Sequence, residues 1–420
     1  MMKAEIIAIG SELVSGQRLD TNSTWLSTRL GELGIPVRFH EVLGDDLEED
    51  VAAFRVAVGR AELVVMTGGL GPTQDDLTRE ALAAVAGVPL VEDRASLESI
   101  AALFARRNRP MTERNRVQAL FPEGAEPLPN RVGTAPGIGM ALGRAMVYCL
   151  PGVPSEMKIM FDEQVVPRLR RLGLGGGVIV HRTIHLFGKG ESEIEAEALD
   201  LTARGRRPEV GITVHDATIS FRVSADAADE SEALAAIEPT LELIRSRFGD
   251  LVVGEEGQDV AEALVAQLAR TGMTLATAES CTGGLIAHRL TAISGVSAYY
   301  PGGVVSYANE AKVELLGVPA DLIATHGAVS QQVAEAMARG VRDRLHADIG
   351  LSVTGVAGPT GGSAEKPVGL VYLGLADAKG VRSRRLDLGP EQPREVIQSR
   401  SAKHALNWAR LHLLRQPGRE

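Results

Sequence analysis

The chain has 420 residues, 45% of them hydrophobic and 23% charged, with a formal net charge of −10. That length exceeds one ordinary core and implies two or three domains, and the composition excludes a disordered chain. An acidic balance with 4% aromatic residues argues against direct nucleic-acid binding, and two cysteines, Cys149 and Cys281, exclude a disulfide framework and suit a reducing cytosol.

The N-terminal stretch "MMKAEIIAIGSE" reads as a strand rather than a signal peptide, and no apolar run reaches the ~18 residues of a membrane span. A cytoplasmic protein without membrane contact is therefore expected. A helix follows over Asn22 to Leu33, ending at Gly34. "ELVVMTGG" and "AMVYCLPG" are further strands, each followed by a helix. Continuous apolar strands alternating with helices predict an α/β fold with a doubly wound parallel sheet, whose ligands bind at the carboxyl ends of the strands. The loops "IGSE", "TGGLGPT" and "LPGVP" fall there.

Three consecutive glycines in "RRLGLGGGV" suggest a linker. Beyond it, "VIVHRTIHLFG", a helix around Ser192 to Thr202, the alternating strand "GITVHDATISFRVSA" and a helix over Glu230 to Phe248 make a small α+β module. A second seam lies at "GDLVVGEEGQ". The pattern then returns to α/β, from the strand "TLATAES" to a final helix over Arg394 to Leu414. The domains expected are 1–172, 176–250 and 256–416.

In the last of these, "TAESCTGG" carries a strand into a tight turn and a helix start. The N–H groups of Cys281, Thr282, Gly283 and Gly284 could meet an anion or the oxyanion of an attacked amide, although Ser280 and Thr282 equally suit helix capping. A nucleophilic serine needs a base. His288, His326, His346 and His404 have no telling context, whereas Lys312, on a helix just after a buried strand with Tyr307 and Asn309 at its entry, could serve if burial lowers its pKa. A solvated surface lysine fits the same pattern. Thr354 and Gly355 open the loop of "SVTGVAGPTGG", and Arg394 and Arg400 near the last helix start are phosphate ligands or plain surface charges. No Cys/His cluster has zinc spacing.

"AESCTGGLIAHRLTAISGVSAYYPGGVVSYANEAKVELLGV", "HGAVSQQVAEAMARG" and "SVTGVAGPTGGSAEKPVGLVY" resemble the CinA C-terminal domain family, which includes nicotinamide mononucleotide deamidases. The resemblance implies hydrolysis of the carboxamide to nicotinic acid mononucleotide and ammonia. It makes Ser280 the nucleophile, Lys312 the base and Tyr307 a helper, without a cofactor. Cys281, Thr282, Gly283, Gly284, Asn309, Thr354 and Gly355 would then contact substrate, and Arg394 or Arg400 would hold its 5′-phosphate. The Cys281 side chain should face away from Ser280, since neighbours on an extended strand point to opposite sides.

In the first domain, "TGGLGPTQDDLTRE" places Asp75 and Asp76 after glycines at a helix start, and "VLGDDLEED" places Asp45 and Asp46 after another strand. Such carboxylates either converge on a divalent cation or cap helices. These stretches are similar to the molybdopterin-binding family of MoaB and MogA type. With "IGSELVSGQRLDTNS", "NRVGTAPG" and "LPGVPSEM" they resemble more closely the N-terminal domain of full-length CinA, and residues 176–250 resemble its small middle domain. That resemblance implies hydrolysis of ADP-ribose to AMP and ribose 5-phosphate with Mg, Mn or Co. Asp45, Asp75 and Asp76 would hold the metal, and Glu12, Asn22, Thr67, Gly68, Gly69, Gly71 and Thr134 would line the pocket. A homodimer is expected on family grounds. Two other readings stay open: a molybdopterin-handling protein, and a non-enzymatic partner in DNA uptake or recombination.

Overall fold

The computed structural model describes residues 3–417. It divides into two compact units, residues 1–180 with 225–236, and residues 181–224 with 237–420.

The first unit begins with β1 (Ala4–Ile9), a short α1 (Ser11–Val14), α2 (Thr21–Gly31), β2 (Val37–Leu43), α3 (Leu47–Arg60), β3 (Leu63–Thr67) and α4 (Thr78–Ala86). It continues through β4 (Leu90–Glu92), α5 (Arg94–Arg106), β5 (Leu120–Pro122), β6 (Glu126–Leu128), β7 (Gly137–Leu142), β8 (Ala145–Leu150), α6 (Pro154–Met160) and α7 (Val166–Arg171). Aspartates start the helices: Asp20 accepts the Ser23 N–H, Asp46 those of Glu48 and Glu49, and Asp93 that of Ser96. The sheet runs β2-β1-β3-β8-β7-β6. Its first four strands are parallel, as the sequence predicts, but β7 is antiparallel to β8 and β6 to β7. Only Gly143 and Arg144 separate β7 from β8, and so short a connection permits nothing but a hairpin. Alternate strand residues feed a core on each face. Ile6, Val65 and Leu150 pack with α2, α6 and α7, while Ile7, Met66 and Val147 pack with α3 and α4.

The three glycines of the expected linker are not a free tether. A side chain at Gly175 would meet the Leu33 carbonyl at 2.9 Å, and one at Gly177 would meet the Ala227 carbonyl at 2.5 Å. Close backbone packing, as much as flexibility, requires glycine here.

A four-stranded sheet of order β10-β11-β9-β12 contains β9 (Val178–Phe187), β10 (Glu209–His215), β11 (Thr218–Ala227) and β12 (Val252–Glu255), with α8 (Glu191–Glu197) and α9 (Glu230–Phe248). Helix α8 is shorter than the sequence pattern suggests. The second unit continues with α10 (Val260–Thr271), β13 (Leu275–Glu279), α11 (Leu285–Thr291), β14 (Gly302–Val305), α12 (Asn309–Leu316) and α13 (Ala320–His326). It ends with α14 (Gln331–Arg344), β15 (Ile349–Gly355), β16 (Leu370–Asp377), β17 (Gly380–Asp387) and α15 (Arg394–Leu414). These strands form a sheet β14-β13-β15-β16-β17, parallel at β13 with both neighbours and antiparallel beyond β15. Helices α10 and α15 cover one face and α14 the other. Strand β13 lies inside the sheet, so its carboxyl end, where Ser280 follows, opens between two parallel neighbours. No helix among the described residues is long and apolar enough to cross a membrane.

Asp50 on α3 is fully buried with neither carboxylate oxygen hydrogen-bonded. Burial, with Asp45, Asp46 and Glu49 nearby, pushes its pKa from 3.8 to about 7. Below pH 3.8 the carboxyl is protonated in both folded and unfolded chains; between there and about 7 only the folded chain keeps the proton, so stability falls as pH rises. Asp50→Asn should therefore raise the melting temperature of the first unit by about 5 °C at pH 8 and by much less at pH 5. Equal gains at both pH values would contradict this.

Candidate active site

The turn after β13 is built around Glu279. This carboxylate is buried, and it accepts the N–H groups of Gly284 at 3.0 Å, Ile286 at 3.1 Å and Ala287 at 2.8 Å. It thus satisfies the donors that begin α11 and places negative charge at their positive end. Its backbone is pinned as well, since the Glu279 carbonyl accepts from Ser306 N–H at 2.8 Å and the Ser280 N–H donates to Val353 at 3.0 Å. Glu279 was not among the candidates read from the sequence, because a cap supplied by the last residue of the preceding strand follows no capping pattern.

Ser280 is 8% exposed and faces Lys312, which is 1% exposed. The Lys312 Nζ lies 3.1 Å from Ser280 Oγ, 2.8 Å from the Ser306 carbonyl and 3.2 Å from the Tyr307 carbonyl. An ammonium fills all three contacts as donor. A neutral amine keeps two N–H bonds to the carbonyls and turns its lone pair toward the Ser280 hydroxyl. Burial lowers the Lys312 pKa, against smaller opposing effects of Cys281 and Glu310, and so favours the neutral form.

Cys281 is buried in the hydrophobic core beneath the sheet, and burial pushes its thiol up to about 12. A thiol held protonated is a poor nucleophile. Any Cys281 contact with substrate is thus limited to its backbone, and its carbonyl is already held by Gln398 Nε2 at 2.8 Å.

Several of the expected substrate contacts already have partners within the protein. The Gly283 N–H donates to the Ser280 carbonyl and that of Gly284 to Glu279, so both are committed to the turn itself. Only the N–H groups of Cys281 and Thr282 lack an acceptor among the described residues. Thr354 is buried and donates to the Ala328 carbonyl at 2.8 Å, and a side chain at Gly355 would strike Val371 and the Leu370 carbonyl. The Thr354 hydroxyl is engaged by Ala328, and close packing against the next strand requires glycine at 355. Asn309 is exposed at the start of α12.

Tyr307 is 61% exposed, and its hydroxyl accepts from Arg394 Nη2 at 2.9 Å. Arg394 also donates to the Gly358 carbonyl at 2.7 Å. The structure thus joins Arg394, and not Arg400, to the Tyr307–Lys312 segment. Six residues on, Arg400 points to a different side of α15, near His404, whose pKa burial lowers to about 4 with help from Arg384 and Arg400.

In the first unit, one cavity of about 630 Å³ gathers Glu12, Asn22, Thr67, Gly68, Gly69, Gly71, Thr134, Asp45, Asp75 and Asp76. Asp46 stays outside, as the α3 cap. Asn22 donates to Thr67 Oγ1 at 3.0 Å and to the Gly152 carbonyl at 2.9 Å. Side chains at Gly68 and Gly69 would collide with the Ile9 carbonyl and the Thr78 hydroxyl, so these glycines serve the loop's own packing. The buried Arg79 donates to the carbonyls of Leu70 and Gly71 from below, an anchor that the sequence reading missed.

The three aspartates expected as metal ligands do not form a ready site. Asp76 accepts from Gly71 N–H at 2.7 Å and from Thr73 N–H and hydroxyl, and Asp45 accepts from Ser11 N–H at 2.9 Å and Oγ at 2.6 Å. Among the described residues no group of three or more His, Cys, Asp or Glu is placed to hold a metal ion. Loop closure engages both Asp76 oxygens and one Asp45 oxygen, so these two aspartates hold the loops whatever else they bind.

If Glu279 holds the nucleophile turn, Glu279→Ala leaves three buried N–H groups unpaired and should destabilise the second unit by about 3 kcal/mol in denaturant melts. Glu279→Gln keeps one acceptor oxygen and should lose less than half of that. Equal losses would mean that the charge alone, and not the hydrogen bonding, matters.

Comparison with known proteins agrees with this architecture. Residues 257–413 match the CinA C-terminal domain, 5–171 a probable molybdopterin binding domain, and 181–254 the damage-inducible protein CinA KH domain. A CinA-like protein of Dictyoglomus thermophilum is 43% identical over 413 residues, 98% of this chain and 100% of its own. One of Gloeobacter violaceus is 44% identical over 417 residues, 98% of this chain and 96% of its own. Among solved structures, a competence/damage inducible protein from Agrobacterium tumefaciens is 42% identical, covers 37% of this chain and 94% of its own, and has a TM-score of 0.36. With full-length relatives above 40% identity and all three domain types matched in order, the chain belongs to the CinA family.

Proposed function

We propose that the C-terminal domain hydrolyses the carboxamide of nicotinamide mononucleotide to nicotinic acid mononucleotide and ammonia. The observation that carries this reading is the 3.1 Å approach of a buried Lys312 Nζ to Ser280 Oγ, with two carbonyls fixing the remaining amine geometry. Neutral Lys312 takes the Ser280 proton as Oγ attacks the carboxamide carbon. The N–H groups of Cys281 and Thr282 face the developing oxyanion. Lys312 then gives the proton to the departing amine, ammonia leaves, and water attacks the acyl-serine with Lys312 again as base. The buried, unpartnered hydroxyls of Thr282 and Ser306 are polar groups that a bound amide could satisfy. Arg394, bonded to Tyr307, is the arginine assigned to the 5′-phosphate.

Ammonia release from nicotinamide mononucleotide tests this. Ser280→Ala and Lys312→Met should each lower kcat by about a thousandfold or more, with folding checked by thermal melt. Cys281→Ala should stay within about threefold of the wild type, since its thiol takes no part. The kcat profile should rise with pH as Lys312 loses its proton, at a pH below that of an ordinary lysine because its pKa is lowered. An active Ser280→Ala variant would overturn the mechanism, and a wild type that releases no ammonia would overturn the substrate.

For the first unit, we propose hydrolysis of ADP-ribose to AMP and ribose 5-phosphate in the 630 Å³ cavity at the carboxyl ends of the parallel strands. Glu12 and Asp75 are exposed on its wall, and Asp75, bonded to Thr73 of the loop, keeps its carboxyl below the usual aspartate range. AMP formation should be measured with and without added Mg, Mn or Co. Glu12→Gln or Asp75→Asn should reduce it about a hundredfold. Unchanged rates in both variants would move the chemistry elsewhere in the cavity.

A further inference from the structure

The tip of the β10–β11 hairpin is built to grip two helices of the amidase domain. His215 pairs with Thr218, leaving Asp216 and Ala217 as a two-residue turn with φ of 45° and 59°. Left-handed backbone at two non-glycine residues is costly and persists only when its surroundings hold it. Here they do. The Asp216 carboxylate accepts from the Ser399 hydroxyl and pairs with Lys403 Nζ at 2.9 Å, both on α15. Lys403 also donates to the Asp216 carbonyl at 2.8 Å and to Thr218 Oγ1 at 3.0 Å. Arg289, on α11, donates to Ser399 Oγ at 2.6 Å and lies 4.0 Å from Asp216. The Ala217 methyl packs against the amidase core, which explains why glycine does not occupy this strained position.

Both gripped helices carry the site. Helix α11 begins at the turn that presents Ser280. On α15, Gln398 immediately precedes Ser399 and holds the Cys281 carbonyl, and Arg394, one turn earlier, holds Tyr307. A helix is stiff over this distance, so fixing Ser399 and Lys403 fixes Gln398 and Arg394 too.

We propose that Asp216 is a positioning residue for the amidase reaction, and that the middle module acts as a strut whose hairpin tip sets the register of α11 and α15 at the nucleophile turn. The kinetic part of this inference rests on the deamidase reading. The structural part does not.

Three measurements on the full chain test it. Asp216→Ala should lower kcat for nicotinamide mononucleotide about tenfold, with Asp216→Asn, which keeps an acceptor for Ser399, recovering most of that. The Asp216→Ala/Gln398→Ala double variant should be no slower than Gln398→Ala alone, since both substitutions break one chain of contacts. Amide exchange over residues 281–290 should quicken in Asp216→Ala, a readout that needs no activity. Wild-type kcat in Asp216→Ala, or additive losses with unchanged exchange, would overturn the proposal and leave the hairpin as a mere domain joint. If the wild type releases no ammonia, the deamidase reading fails by itself. Exchange then decides the strut: faster exchange over 281–290 supports it and unchanged exchange overturns it.

Discussion

A buried carboxylate at the end of a buried strand sets the Ser280–Lys312 site. Glu279 can lie there only because three backbone N–H groups of α11 converge on it. In return the helix start is saturated, the turn "SCTGG" has one geometry, and Ser280 is carried to the open end of β13. Without that cap the same glycines would be free to adopt many conformations. Lys312 is the complementary constraint, an amine kept from water whose hydrogen bonds are all supplied by the site. One buried group stays where it is because it is fully bonded. The other is useful because burial makes its proton easy to lose.

The saturation of α11 also limits the chemistry. A helix N-terminus that has already been given a carboxylate is a poor second home for an anion, so the N–H groups of the turn left without an acceptor among the described residues are the two nearest Ser280. The first unit solves its loop problem similarly. Asp76 closes the "GGLGPT" loop from above and Arg79 anchors its carbonyls from below, leaving a shaped acidic cavity rather than an assembled metal cage. In both units charged residues hold loops in place, the buried Glu279 in one and the buried Arg79 with Asp76 in the other.

Much of the fold could be read directly. The Asp46 cap, the apolar strands and the helices over Glu230–Phe248 and Arg394–Leu414 lie where local pattern puts them, because each is fixed by interactions within a few residues. The antiparallel edges were missed, since an apolar run does not reveal the direction of its neighbour. Glycines were the least legible residues. Gly68, Gly69, Gly175 and Gly355 all look like ligand loops or linkers, yet each is small because another part of the chain presses against it.

For the candidate site, the sequence alone supplied the candidate types and their order: a serine at a strand end and a lysine 32 residues on, within motifs specific enough to name a family. The sequence also led to a cysteine turned away from the serine, by way of strand alternation; β13 ends at Glu279, however, and it is the turn that places Cys281 in the core. Only the tertiary structure decided that Lys312 is buried and aimed at Ser280, that Arg394 and not Arg400 joins the segment, that Asp45 and Asp76 bond to loop donors, that Gln398 holds the Cys281 carbonyl across 117 residues, and that Asp216 holds Ser399 across 183. The reason is the same in each case. Whether a charged or polar side chain is a ligand, a base or a strut depends on which partners surround it and how little water reaches it, and those are fixed by packing between distant segments.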